Sequence, residues 1–136
     1  MKKIFVLFFV FMLAGVMLFG QTGKGQMEVL YFKANLACCK ARACSALEAD
    51  IQTIVQKNFA DSSVVFKEIK LADEANKSLV EKYKAQSQTV ILIKNKKKKE
   101  FSADVSDIVK AYVQNQNKEA FEQALLAKIN EVKKKK

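Results

Sequence analysis

Three cysteines, Cys38, Cys39 and Cys44, lie in the stretch Lys33-Ala34-Asn35-Leu36-Ala37-Cys38-Cys39-Lys40-Ala41-Arg42-Ala43-Cys44, and they are all the cysteine that the 136-residue chain contains. No histidine occurs anywhere, so thiols are the strongest nucleophiles and the strongest soft-metal ligands available. A Ser-His-Asp arrangement is thereby excluded, and so are the usual catalytic zinc sites. Thiol chemistry depends on the thiolate fraction, which rises beside cations and at helix N-termini. Lys33, Lys40 and Arg42 flank the cysteines, and no carboxylate intervenes between Glu28 and Glu48. Lys40 and Arg42 are therefore the expected thiol-activating residues, and Cys38, Cys39 and Cys44 the expected catalytic ones.

Thiol–disulfide exchange needs one cysteine to attack and another to resolve. Spacing limits the pairing. Along a continuous helix, positions five apart are separated by about 7.5 Å of axial rise, beyond the Cα span of about 4.4–6.8 Å that a disulfide tolerates. A bridge from Cys44 to Cys38 or Cys39 thus requires a break in the helix before Cys44. Two other uses of the cluster stay open: three thiolates suit a soft ion such as Cu(I) or arsenite, and a plain disulfide could staple the loop.

The elements around the cluster are legible from periodicity. Glu28-Val29-Leu30-Tyr31-Phe32 predicts a buried strand leading into it. Ser45-Ala46-Leu47-Glu48 has the form of a capping box, and Leu47, Ile51, Ile54, Val55 and Phe59 then recur at helical spacing. That helix starts either at Ser45, with the cysteines in a preceding loop, or after Asn35, with the cysteines on its first turns. Val64 to Leu71 predicts a second strand. Asp73 is the expected N-cap of a helix over 74–84. Thr89-Val90-Ile91-Leu92-Ile93 is β-branched and apolar on both faces, which predicts a central strand. Asn95 with Lys96 to Lys99 reads as a turn, Glu100 to Ala103 as an edge strand, Asp104 to Val113 as a short helix, and Asn117 as the cap of a last helix through Phe121, Leu125, Ile129 and Val132. Tyr31, Phe32, Phe66 and Phe101 fall in strand patterns and are expected in the core.

The N-terminus has a different character. Met1-Lys2-Lys3 is basic, residues 4–20 carry no charge, and polar Gln21-Thr22-Gly23-Lys24-Gly25-Gln26 follows. The layout predicts a secretory signal peptide over 1–20 and one exported domain over 21–136. An uncleaved anchor is the alternative, since the run reaches the short edge of the about 17–25 residues that cross a bilayer. Without residues 1–20, 22 basic residues face 14 acidic ones, a net +8. Eight of those cations sit in Lys96 to Lys99 and Lys133 to Lys136. Without the two blocks the chain is balanced at 14 against 14, so its positive charge is local. The blocks read as a solvated turn and a frayed helix end, with no nucleic-acid partner expected.

A parallel βαβ followed by a helix, a hairpin and a closing helix is the thioredoxin layout. Val29-Leu30-Tyr31-Phe32 before the cysteines, Cys44 ahead of Glu48 and Ile51, and Lys82-Tyr83 shortly before Thr89 to Asn95 resemble the thioredoxin-like superfamily. Tyr31-Phe32, Cys38, Cys44 and Ala46-Leu47-Glu48 are similar to the pattern of small exported proteins named the nitrophenyl compound nitroreductase subunit ArsF family. The resemblance implies an α/β, thioredoxin-like three-layer sandwich (β-α-β-α-β-β-α) behind an N-terminal hydrophobic signal helix. It implies a periplasmic thiol–disulfide redox protein, or the redox subunit of a reductase, that works as a monomer without cofactor or resident metal. Its partners would be protein thiols and disulfides, with membrane contact limited to the signal segment. Gln88 and Thr89 occupy the positions that would face substrate. The chain departs from the superfamily in having no tryptophan, no proline and wider cysteine spacing. Gln88 stands where the superfamily keeps a cis-proline, and a cis bond there would cost about 2.5–4 kcal/mol, so a trans bond is predicted.

Overall fold

The computed structural model describes residues 26–35 and 39–136, with the backbone alone for 39–41. The expected signal segment and Cys38 lie outside the described residues. Among those described, no helix is long and apolar enough to cross a membrane.

Four strands form one mixed sheet: β1 (Met27–Lys33), β2 (Val64–Lys70), β3 (Val90–Lys96) and β4 (Lys99–Asp104), in the order β2-β1-β3-β4. β1 runs parallel to β2, with Tyr31 opposite Glu68, and antiparallel to β3, with Tyr31 opposite Val90. β3 and β4 make an antiparallel hairpin in which Lys96 faces Lys99. The helices are α1 (Cys39–Asn58), α2 (Lys77–Tyr83), α3 (Ser106–Asn115) and α4 (Lys118–Lys134), with a 3-10 turn, Glu74–Asn76, before α2.

The two central strands, β1 and β3, are apolar on both faces because both are covered. Met27, Val29, Tyr31, Val90 and Leu92 pack under α1, α3 and α4, whose contributions include Leu47, Ile51, Val109, Leu125 and Ile129. Leu30, Phe32, Ile91 and Ile93 face the other way and meet Ile69, Leu79, Val80 and Tyr83. The result is the thioredoxin-like three-layer sandwich, with α3 added between the hairpin and the closing helix. The aromatic expectations hold: Tyr31 and Phe32 are buried, and Phe66 and Phe101 pack against the core.

The helix caps follow the chemistry of their residues. Asp73 accepts from the Ala75 amide and Asn117 from the Ala120 amide, each at 3.0 Å, so both expected caps are present. The lysine turn is tighter than expected. β3 continues through Lys96, and only Lys97 and Lys98 make the reversal, with Lys97 at φ 54°. Lysine on edge strands and in this turn disfavours sheet-to-sheet pairing.

Asp50 links three helices. It accepts from the Tyr112 hydroxyl at 2.8 Å and pairs with Lys118, tying α1 to the α3–α4 junction, where Tyr112 stacks on Phe121. Burial opposes the Asp50 charge, but the Lys118 ammonium and the Tyr112 hydroxyl outweigh it and hold the carboxyl below its usual range. A lowered folded-state value adds stability above the unfolded value of about 3.9 and loses it as pH falls through the folded value. Asp50→Asn should therefore cost about 1 kcal/mol in urea unfolding at pH 7. The difference should vanish in acid, below the normal carboxylate range; an undiminished difference there would sink the account.

Candidate functional site

The site lies where β1 ends and α1 begins. Phe32 is the last buried residue of the strand, and its backbone closes a pair of bonds with the loop that enters β3. The Gln88 amide donates to the Phe32 carbonyl, and the Phe32 amide donates to the Thr89 carbonyl, both at 2.9 Å. Gln88 and Thr89 are thereby brought to the end of β1, beside the helix that carries Cys44.

α1 includes Cys39 and Cys44 on one continuous helix. Of the two starts left open, the one at Ser45 is excluded, and Ser45 stands exposed in the helix interior. Burial explains the extension. Cys44 is 3% exposed and continues the Cys44, Leu47, Ile51 stripe one turn upstream, while Ala41, Ala43 and Ala46 favour helix. Asn35 as the alternative cap cannot be followed, because residues 36–38 lie outside the described part. On this helix, Cys39 and Cys44 are about 7.5 Å apart along the axis, too far for a bridge without unwinding the first turn.

Cys44 is a free, buried thiol. Its Sγ accepts a hydrogen bond from the Gln88 amide nitrogen Nε2 at 3.4 Å and lies 3.8 Å from the Ser87 hydroxyl. Its carbonyl accepts from the Tyr31 hydroxyl at 3.0 Å. Burial and the neighbouring Cys44 and Glu48 charges push the Tyr31 phenol well above its normal range, so it remains a donor. Over the same loop lies a depression of about 240 Å³ whose lining includes Lys84, Ser87, Gln88, Thr89, Ser106 and Lys110.

Charge around the site differs from the expectation for Lys33. The fold brings carboxylates from two other elements to this lysine, Glu48 of α1 and Glu68 of β2. Its ammonium is held high by hydrogen bonding to Glu48, and it is no longer a free cation beside the thiols. Burial, followed by hydrogen bonding with Glu68, raises the Glu48 carboxyl, whereas Glu68 is lowered chiefly by that same bond. Arg42 is exposed, and the Lys40 side chain lies outside the described part. Among the described residues no group of three His, Cys, Asp or Glu side chains is placed to hold a metal.

Sequence reasoning did not find Ser87, Glu48 or Glu68. Glu48 had a readable signal, since it sits four residues after Cys44 on the same helix face. Glu68 had none until β1 and β2 were in register.

Gln88 differs in conformation as well as type from the cis-proline of the pattern that the sequence resembles. No cis peptide bond occurs among the described residues, so the bond between Ser87 and Gln88 is trans as expected, and Gln88 has φ 68°. Proline requires φ near −65° and has no amide to give Phe32.

No family model matches the chain, and no curated protein does. Similar solved structures include the following three. One is a malarial protein, 24% identical over 65% of this chain and 94% of its own, TM-score 0.40. Another is thioredoxin-2, a component of malaria parasite protein secretion machinery, 26% identical over 70% of this chain and 87% of its own, TM-score 0.43. The third is a thioredoxin-like protein from Clostridium perfringens, solved in solution, 13% identical over 71% and 75%, TM-score 0.44.

Two measurements test the geometry. Gln88→Pro should lower stability by more than about 1 kcal/mol, and an unchanged urea midpoint would contradict the positive-φ, hydrogen-bonded loop. Tyr31→Phe should cost about 0.5–1.5 kcal/mol at constant denaturant slope; no loss would mean that the phenol does not tie strand to helix.

Proposed function

We propose that the protein is a thiol–disulfide redox protein in which Cys38 or Cys39 attacks and Cys44 resolves. The observation that carries this reading is the free Cys44 thiol held under the Ser87-Gln88 loop, on the same helix that begins with Cys39. Cys44 is shielded, which suits a resolving thiol better than an attacking one.

The first turn of α1 supports the attacking role of its neighbours. It contains Lys40 and Arg42 and no acidic residue. Cations at a helix N-terminus oppose the macrodipole by about 0.3–1 kcal/mol each, so this turn is cheap to open. The same cations favour the thiolate. In the forward direction a thiolate of Cys38 or Cys39 attacks a partner disulfide, the S–S bond breaks, and the departing partner thiolate takes a proton from water. The first turn unwinds, the Cys44 thiolate attacks the mixed disulfide, and the second partner sulfur leaves as a thiol. Two electrons pass to the partner, and the chain is left with one internal disulfide. Gln88 and Thr89 border the surface on which the partner lies. Export to the periplasm, and kinship with the ArsF family named above, complete the reading.

The test is mixed-disulfide trapping read by intact-mass spectrometry, together with insulin reduction. Cys44→Ser should accumulate the adduct and slow insulin reduction by at least about ten-fold. Cys38→Ser or Cys39→Ser, whichever removes the attacking thiol, should abolish adduct formation. Insulin reduction that survives Cys44→Ser would overturn the assignment, as would activity that survives the loss of both upstream cysteines.

A further inference from the structure

The two lysine blocks, more than thirty residues apart in sequence, meet at one end of the molecule. Lys96 to Lys99 form the tip of the β3–β4 hairpin, and α4 ends beside it, where the Lys94 ammonium donates to the carbonyls of Lys133 and Lys135. Lys96, Lys97, Lys98, Lys99, Phe101 and Lys136 line one open groove of about 400 Å³. Lys96 to Lys99 and Lys134 to Lys136 are exposed. Lys133 is occupied in the fold, bonding Ser63 and lying 5.0 Å from the Phe59 ring centre. The acidic groups at this end are few. Glu28 pairs with Lys67, Glu100 beside Lys99 pairs with Lys82 and accepts from the Tyr83 hydroxyl, Glu131 bonds Lys128 and touches Lys135 at 4.0 Å, and Asp61 accepts from the Ser63 amide.

The same end receives the chain from residues 1–25. β1 starts there, with Met27 opposite Lys94, and the sequence before it includes the uncharged, apolar stretch of residues 4–20. The thiol site is at the other end of β1, about 20 Å away over seven residues of strand.

We propose that this lysine-rich end is a docking surface for an anionic phospholipid membrane. Lipid is favoured over other polyanions because, in the chain that keeps residues 1–20 as an anchor, the apolar stretch leads into the same end of β1, so a bilayer that takes up that stretch meets the lysines as well. Clustered lysines beside an apolar segment gain affinity for acidic headgroups, about five-fold per residue at the surface. Docked this way, the domain turns the Cys44 end away from the lipid and toward the aqueous phase.

Amine acylation of the full chain on vesicles, read by peptide mass spectrometry, tests the proposal. Phosphatidylglycerol vesicles should slow acylation of Lys97, Lys98, Lys135 and Lys136 by about five-fold or more relative to phosphatidylcholine vesicles. Lys84 and Lys110, at the thiol end, should label equally on both. Molar salt should remove the difference, and Lys97→Gln with Lys98→Gln should weaken the protection of Lys135 and Lys136. Equal labelling of the four lysines on the two vesicle types would overturn the proposal. Protection by RNA or heparin without protection by phosphatidylglycerol would overturn it too.

Discussion

A buried phenol must find an acceptor, and Tyr31 finds the carbonyl of Cys44. That one bond relates the central strand to the helix that carries the thiol. Tyr31 is fixed in turn by the sheet, since its backbone lies between Glu68 of β2 and Val90 of β3 and its ring lies within the core under α1. Once the phenol sets the position of the second helical turn, the Cys44 sulfur falls opposite Gln88, whose backbone is already bonded to Phe32. The site is thus assembled from three neighbouring attachments to the last residues of β1.

Much of this was readable before any coordinates. The double-sided apolar runs of β1 and β3, the 3.6-residue stripe of α1 and the asparagine cap of α4 are local signals, and each element stands where its signal placed it. The start of α1 was not decided locally. A capping box at Ser45 and a run of helix-forming alanines upstream compete, and the burial of Cys44 against the β3 entry loop settles the matter through contacts with residues more than forty positions away. The charge on Lys33 was misleading for the same reason. Counting acids along the chain finds none nearby, whereas parallel pairing of β1 with β2 delivers Glu68 and helical geometry delivers Glu48.

The molecule is polar in its organisation. One end of β1 holds thiol, amide and hydroxyl groups in a partly covered pocket; the other gathers lysines on a hairpin tip and a helix end. Neither end borrows residues from the other, so the opening proposed for the first turn of α1 would leave the lysine-rich end unchanged. The elements between them, β1 and β3, are the most completely buried in the domain.

The loop over Cys44 also sets the order in which the thiol becomes protected. Ser87 and Gln88 follow Cys44 by 43 and 44 residues, so a growing chain presents a naked thiol for the whole time that β2 and α2 take to emerge. During that interval three closely spaced cysteines can meet oxidants and one another without the constraint of a formed helix. The covered state of the Cys44 thiol is therefore reached only after the β3 entry loop arrives.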